Sequence, residues 1–306
     1  MMNVRKKILK WTGITLGALL GLIIIALVAI YTISMIRLNK TYDLPGTALT
    51  IPTDAAAIAE GQRQFSTRGC VDCHGPDGAG KMVVDDALIG TVMASNLTAG
   101  PGGIASQYVE GADWERAIRQ GVGADGKPLV IMPSHEFYPI NDGDLANLVA
   151  FIQALPAVDH ETTPIAVGPL GRILHVTGLV TVVPAEVIDH NAPRPQTIAK
   201  AATKEYGEYL AQSCTGCHGK TLSGGPVPGV PSDGPFPRNL TPDVATGLGT
   251  WQEVDFVRTL RTGVRPDGST LAAAMPWQAF SAMTDEELSA LWLYLQSMPA
   301  QPYGNR

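Results

Sequence analysis

The sequence of 306 residues contains few charged residues and few cysteines, and each scarcity excludes a class of protein. Only 16% of the residues are charged, below the ~25% that is usual in soluble domains, so a membrane segment is expected. The 22 basic residues are outnumbered by 28 acidic ones, which excludes nucleic acid as the main partner because phosphate binding needs a basic surface. Four cysteines are too few for a disulfide scaffold in a chain of this length. The length itself suggests two domains of about 150 residues each.

One long stretch near the N-terminus, residues 11–36, carries no charge. As a helix it would extend about 39 Å, more than the ~30 Å hydrocarbon core of a bilayer. A cleaved signal peptide is the alternative, but its apolar part runs about 7–15 residues and ends in small residues, whereas Tyr31, Met35 and Ile36 occupy that region. Four basic residues precede the stretch and two follow it closely, so the positive-inside rule leaves the N-terminus in the cytoplasm. The sequence predicts a single-pass anchor in a bacterial inner (cytoplasmic) membrane, with the remaining chain on the outer, periplasmic side.

All four cysteines lie in two copies of a Cys-x-x-Cys-His motif. The two copies comprise Cys70, Cys73 and His74, and Cys214, Cys217 and His218. Covalent attachment of haem c needs two thiols at this spacing and an imidazole that binds the iron. Zinc would need a second Cys/His pair in each unit, and a thioredoxin-like redox pair would need alternating strands and helices. The sequence shows neither. Structural disulfides are the remaining alternative. The motifs predict two covalently bound haem c groups.

The chain repeats itself around these motifs, and the repeat predicts a second ligand for each iron. Residues 96–98 (Asn-Leu-Thr) match residues 239–241, and Met132 matches Met275, 62 and 61 residues beyond the first cysteine of each motif. A methionine ordinarily fills a core. These two recur in register and precede proline, which favours a loop that presents the sulfur. We predict both as axial ligands. His135 is the alternative at the first haem, although the second repeat has no counterpart to it.

The periodicity predicts an all-α chain: an N-terminal transmembrane helix followed by two tandem haem domains. Each domain is expected to begin and end with an amphipathic helix, joined by loops around the haem. Gly61 and Gly207 would let the last helix cross the first closely. The apolar run at 173–183 is expected to pack between the two domains. The predicted divisions are a membrane anchor at 1–40 (helix about 11–36), a connector at 41–53, a first haem domain at 54–156, a Pro-rich interdomain segment at 157–199 and a second haem domain at 200–306.

The two motifs and their matched methionines resemble tandem class I cytochrome c domains. The stretch from residues 238–243 through Trp251 to Met275 is similar to the haem-bearing subunits of bacterial membrane-bound alcohol and sugar-acid dehydrogenase complexes. Those subunits typically carry three haems, whereas this chain has motifs for two and an N-terminal anchor. The resemblance implies thioether bonds at Cys70, Cys73, Cys214 and Cys217, proximal ligands at His74 and His218, and distal ligands at Met132 and Met275.

This ligand set predicts a membrane-anchored electron-transfer protein without catalytic residues. A histidine and a methionine fill both axial positions of the iron, which leaves no open position for a substrate. We expect electrons to pass between a respiratory complex or dehydrogenase and a terminal oxidase or soluble carrier. A di-haem peroxidase, in which one iron loses its distal ligand, and a gas or redox sensor are the alternatives. Residues 41–306 carry 16 basic and 28 acidic side chains, so partners with basic docking surfaces are expected.

Overall fold

The computed structural model describes residues 2–193, 197–227 and 236–306, without the side chains of Met2, Asn3 and Arg5. Parts of the predicted interdomain segment and of the predicted second domain, 194–196 and 228–235, therefore lie outside the described residues. The chain begins with α1 (Met2–Leu38). By length and composition its stretch Lys6–Leu38 could cross a membrane, and the most apolar 18-residue window of the stretch has a mean hydropathy of 2.7. The most apolar part of this stretch is not buried in the protein.

Apart from one small sheet, the regular secondary structure of the remaining described residues is helical, so the all-α class is confirmed. Residues 39–156 contain α2 (Ala55–Thr67), α3 (Cys70–His74), α4 (Gly111–Ile118), α5 (Ser134–Phe137) and α6 (Asp142–Ala154). The interdomain segment contains α7 (Pro169–Thr177). With nine residues, α7 is too short to span a membrane. After it come α8 (Lys204–His218), α9 (Glu253–Thr262), α10 (Trp277–Phe280) and α11 (Asp285–Ser297).

A small antiparallel sheet interrupts the region that the sequence assigned to loops. Its strands are β1 (Met82–Asp86), β2 (Gly90–Met93) and β3 (Ala166–Val167), in that order. The β1–β2 hairpin sets Asp86 opposite Gly90, and β3 pairs with the other edge of β2. The sheet therefore joins the first domain to the interdomain segment, a long-range pairing that local sequence patterns do not reveal.

Each half of the chain is built on a close crossing of its first and last helices. A side chain at Gly61 in α2 would collide with the carbonyl of Asn147 and with Phe151 in α6. In the second half a side chain at Gly207 in α8 would collide with the carbonyl of Ala290 in α11. The expectation that these two glycines permit the crossings is confirmed.

Side-chain caps begin the last helix of each half. The Asn141 side chain accepts a hydrogen bond from the Asp144 N–H at the start of α6 (3.0 Å). In α11 the Thr284 hydroxyl accepts from the Glu287 N–H (3.1 Å), and the Glu287 carboxylate accepts from the Thr284 N–H (2.9 Å). These reciprocal bonds form a capping box.

The two halves meet in a reciprocal arrangement. The short helix α5, which follows Met132, contacts α8, and its counterpart α10, which follows Met275, contacts α2. Between them lies a set of polar side chains that we call the interdomain cluster. It consists of Glu60, Arg63, Arg68, Asp144, Lys200, Tyr209 and Glu287.

The interdomain segment packs differently from the expectation. Val182, Val183 and Ala185 are buried with Val122 of the first half, and Leu38 of α1 packs against the same cluster. The run at 173–183 therefore covers α1 and the first domain, where we expected it between the two domains. Ser34 and Arg37 near the end of α1 explain this placement, because both form hydrogen bonds with His175 of α7.

Candidate haem sites

The two Cys-x-x-Cys-His motifs are helical in the structure. The first forms α3, which begins after Gly69 and ends at Gly75, both with positive φ (78° and 74°) that glycine adopts without strain. The second is the C-terminal part of α8 and ends at Gly219 (φ 81°). In a helix, residues three apart share one face, so each pair of thiols is aligned along one side.

Burial changes the chemistry of the first cysteine of each motif. It raises the pKa of Cys70 and the pKa of Cys214 to about 12, so both thiols are protonated at neutral pH. Cys70 packs against the core of the first half together with Met132, and Cys214 packs against the core of the second half together with Met275. In each half, the structure thus brings the first attachment cysteine of the motif and the predicted distal methionine to the same core.

Both predicted proximal histidines are held by a backbone carbonyl. The Nδ1–H of His74 donates to the Ser95 carbonyl (2.9 Å), and the Nδ1–H of His218 donates to the Arg238 carbonyl (2.7 Å). These bonds fix the tautomer and leave Nε2 as the unprotonated nitrogen. Burial lowers the pKa of both imidazoles and outweighs the opposing effect of the carbonyls. Both rings are therefore neutral, as an iron ligand must be.

The carbonyls that hold the histidines belong to the residues directly before the repeated Asn-Leu-Thr segments. In the first half, the Asn96 side-chain oxygen accepts from the Thr98 N–H (3.0 Å) and from the Thr98 hydroxyl (2.8 Å). In the second half, Asn239 accepts in the same way from the Thr241 N–H (2.9 Å) and hydroxyl (2.8 Å). All four side chains are buried. We call each Asn/Thr pair an Asn-Thr brace.

Each brace also binds the chain that leaves the last helix of its domain. The Asn96 amide donates to the Val158 carbonyl (2.9 Å), and the Thr98 hydroxyl accepts from the Val158 N–H (3.0 Å). The equivalent partner in the second half is Gln301, at 2.7 Å from the Asn239 amide and 3.1 Å from the Thr241 hydroxyl. Sequence reasoning found the repeated segments but not this role, although their repetition was the signal for it.

The two methionines lie in loops of matching geometry. The Met132 carbonyl accepts from the Ser134 N–H (2.8 Å), and the Met275 carbonyl accepts from the Trp277 N–H (2.8 Å). Ile131, directly before Met132, has φ 68°, which is strained for a β-branched residue. Its N–H donates to the Val182 carbonyl (2.8 Å), so the interdomain segment supports the first methionine loop.

His135, the alternative ligand at the first site, lies in α5. Its Nε2 is 3.8 Å from the carboxylate of Glu136, the next residue. Burial lowers the pKa of His135 and raises that of Glu136. The Glu136 carboxylate lies against Gly216 inside the second Cys-x-x-Cys-His motif. The segment after Met132 therefore touches the attachment motif of the other half.

The residues present fit covalent haem better than zinc or a disulfide. All four cysteines, each within the described part of the chain, are free of disulfide bonds. In the same described ranges, no group of three or more His, Cys, Asp or Glu side chains could hold a metal ion. The donor set of each half is one neutral imidazole, two thiols and one thioether, and the first thiol and the thioether pack against the same apolar core. This is the set that haem c with a histidine and a methionine as axial ligands requires.

This all-α fold, with its two thiol–imidazole motifs, defines a haem-binding protein of the c type. A sequence profile described as Cytochrome c matches residues 58–156 and 205–299. The chain belongs to the cytochrome c family, and its cofactor is covalently bound haem c.

Several characterised proteins are similar to this chain. The cytochrome c subunit of alcohol dehydrogenase (quinone) from Gluconobacter oxydans is 27% identical over 299 residues, which cover 85% of this chain and 58% of the relative. The gluconate 2-dehydrogenase cytochrome c subunit from Pantoea cypripedii is 36% identical over 102 residues, 31% of this chain and 23% of the relative. A protein named diheme cytochrome c-type from Cereibacter sphaeroides is 25% identical over 271 residues, 79% of this chain and 86% of the relative. The chain thus spans less than two thirds of either dehydrogenase subunit.

Proposed function

We propose that this protein is a membrane-anchored di-haem cytochrome c that relays electrons, with one haem in each of the domains 54–156 and 200–306. A bound haem c supplies an iron that cycles between its ferrous and ferric states. The proposed thioether sites are Cys70, Cys73, Cys214 and Cys217, the proposed proximal ligands are His74 and His218, and the proposed distal ligands are Met132 and Met275.

The chain's own residues suit this task because they hold the ligands without offering a substrate position. The carbonyls of Ser95 and Arg238 orient the two imidazoles and increase their basicity. The methionine loops place a partly buried thioether beside each apolar core. Such a fixed ligand set favours electron transfer because little rearrangement accompanies the change of charge.

One observation carries the proposal of an electron relay between the two sites. The segment after Met132 reaches the second attachment motif, where the Glu136 carboxylate lies against Gly216. The equivalent helix after Met275, α10, contacts α2 of the first domain. Each distal side thus adjoins the opposite domain, an arrangement that supports direct exchange of electrons within one chain.

The proposed partners are a dehydrogenase or respiratory complex as donor and a terminal oxidase or soluble carrier as acceptor. The dehydrogenase subunits among the relatives support the donor.

We place the N-terminus in the cytoplasm and both haem domains on the periplasmic side of a bacterial inner membrane. Because residues 41–306 have 12 more acidic than basic side chains, we expect partners with basic docking surfaces and association that weakens as salt rises. Rates measured with the purified partner that do not change with salt would contradict this docking mode.

The ligand assignment is tested by Met132→Ala and Met275→Ala, each in the full-length protein. Each change should lower the reduction potential of one haem and open that haem to carbon monoxide, because the thioether stabilises ferrous iron. Redox titration and the methionine–iron absorption band report both effects, with the buried core methionine Met283→Ala as control. The assignment is wrong if the band survives in the double variant.

The peroxidase alternative, which the comparisons do not support, requires peroxide turnover by the reduced wild-type protein.

A further inference from the structure

We infer that the turn between β1 and β2, together with the first turn of α7, forms a second membrane-contact surface beside α1. The surface consists of Leu88, Ile89 and Leu170, which we call the hairpin patch. These side chains are 59%, 43% and 38% exposed. The inference rests on the proposed membrane anchor and adds a site where the domain itself enters the lipid headgroup region.

Contacts between α1 and α7 set the depth of α7 in the membrane. The Arg172 guanidinium lies 4.4 Å from the ring centroid of Tyr31 and donates to the Ser34 hydroxyl (3.3 Å). One turn later, His175 Nδ1 lies 3.2 Å from the same hydroxyl, and the His175 carbonyl accepts from Arg37 (3.3 Å). The uncharged stretch of α1 is about 39 Å long and the hydrocarbon core about 30 Å thick. The last turn and a half of that stretch therefore lies within about 9 Å of the outer boundary, and α7 lies at headgroup depth.

The direction of α7 identifies its membrane-proximal end. From Arg172 to His175, its contacts on α1 advance from Tyr31 to Arg37, away from the centre of the bilayer. The first turn of α7, which carries Leu170, is therefore the end nearer to the lipid.

The hairpin is held at this same end. The Leu170 N–H donates to the Leu88 carbonyl (2.9 Å), and the Gly168 N–H donates to the Ile89 carbonyl (2.9 Å). The Asp86 carboxylate accepts from the N–H groups of Leu88 and Ile89, both at 2.8 Å. The two exposed apolar side chains thus sit on a turn that is fixed by hydrogen bonds at the membrane-proximal end of α7.

The charge pattern favours lipid over a protein partner as the occupant. From residue 162 to residue 185 the one Asp, Glu, Lys or Arg is Arg172. An arginine and a tyrosine stacked at this depth are typical of the membrane interface. Apolar side chains at headgroup depth gain free energy when they leave water, as on an interfacial helix. Asp85 and Asp86 on the same hairpin disfavour anionic lipid, so we expect the patch to contact zwitterionic headgroups.

The experiment uses the full-length, haem-loaded protein in phosphatidylcholine vesicles. Single variants Leu88→Cys, Ile89→Cys and Leu170→Cys receive a nitroxide label, and its accessibility to oxygen and to a water-soluble nickel complex is measured. Val109→Cys and Val244→Cys are matched aqueous controls, because these valines are 78% and 71% exposed outside the patch. Leu22→Cys, in the middle of α1, reports on the anchor itself.

Labels in the patch should be several-fold more accessible to oxygen than to nickel, whereas labels at the two control positions should show the reverse. The inference is overturned if Leu22 is deep in the bilayer and the three patch labels remain as nickel-accessible as the controls, as a surface reserved for a protein partner would be. A label at Leu22 that is itself in water would contradict the proposed anchor, and the inference with it.

Discussion

Thr98 and Thr241 are buried hydroxyls with the same two partners, an asparagine oxygen and a backbone N–H of the chain that leaves the last helix. Each lies three residues after the carbonyl that accepts a hydrogen bond from the proximal histidine. The brace therefore links the orientation of an iron ligand to the closure of its whole domain. Because the structure contains two copies, each domain serves as the control for the other.

We expect Thr98→Val to raise the reduction potential of the first haem and to leave that of the second unchanged. Loss of the Thr98 hydroxyl bonds should displace the Ser95 carbonyl, which lies three residues earlier. A firm Nδ1–H bond to that carbonyl makes His74 a stronger electron donor to ferric iron, so its displacement weakens the donation. Lost bonds to the buried Asn96 and Val158 groups should also destabilise the domain by about 1–3 kcal/mol. Redox titration and chemical denaturation measure the two effects.

Two further variants separate positioning from simple stability. Thr98→Ser keeps the hydroxyl and should restore the wild-type potential. Thr241→Val should move the potential of the second haem alone. If Thr98→Val lowers stability while both potentials stay unchanged, the brace has only a structural role.

At the scale of helices, the domains depend on the two crossings that Gly61 and Gly207 permit. Gly61→Ala should destabilise the first domain by about 1–3 kcal/mol or more, because the added methyl group meets a backbone carbonyl that cannot rotate away. Denaturation followed by circular dichroism in detergent measures the loss. Gly143→Ala, in the first turn of α6, is the matched control, since its methyl group would meet only the Asn141 side chain at 3.4 Å. Equal effects of the two substitutions would contradict the importance of the crossing.

The helices were predictable because their signals are local. Apolar spacing, the Asn141 cap and the Thr284–Glu287 capping box all lie within a few residues of the element they define. The three-stranded sheet was missed because β3 pairs with β2 across more than seventy residues. The β-branched pair Val83 and Val84 was the one local signal for its first strand.

The candidate sites were predictable to the extent that they repeat. The motifs and the matched register indicated the cysteines, histidines and methionines, whose ligand roles stay predictions. The carbonyls of Ser95 and Arg238 could not be found, since any residue type offers a carbonyl. Among the described residues of the second repeat, the support of Ile131 by Val182 has no counterpart, so alignment of the two halves could not reveal it.

For the whole molecule, the interdomain cluster joins the two domains through charged groups. Lys200 lies 2.7 Å from Glu60 and 2.9 Å from Asp144, and Arg63 bridges Glu60 to Glu287. The Tyr209 hydroxyl donates to Asp144 (2.6 Å). The carboxylates of the first domain are thus bonded to groups that begin the second.

These bonds predict that acid loosens the contact between the domains. Burial alone would raise the pKa of Glu60, but hydrogen bonds from Arg63, Lys200 and Gln64 lower it to about 2. The pKa of Asp144 is likewise lowered, since Arg68, Tyr209 and Lys200 outweigh its burial. A carboxyl group whose pKa is lower in the folded than in the unfolded protein stabilises the fold above the unfolded pKa. That stabilisation is lost as the pH falls from about 4.5 towards about 2.

Spin labels at Val109→Cys and Val244→Cys, one in each domain, should report the loosening. Their distance distribution should be narrow at neutral pH and broaden as the pH falls through this range. Glu60→Gln removes one titrating group, so part of the acid sensitivity should disappear and the distribution should already be broader at pH 7. Glu286→Gln, an exposed carboxylate of α11 outside the cluster, is the control. If Glu60→Gln and Glu286→Gln give the same pH profile as the wild-type protein, then apolar packing of α5 on α8 and of α10 on α2, rather than the charged cluster, holds the domains together.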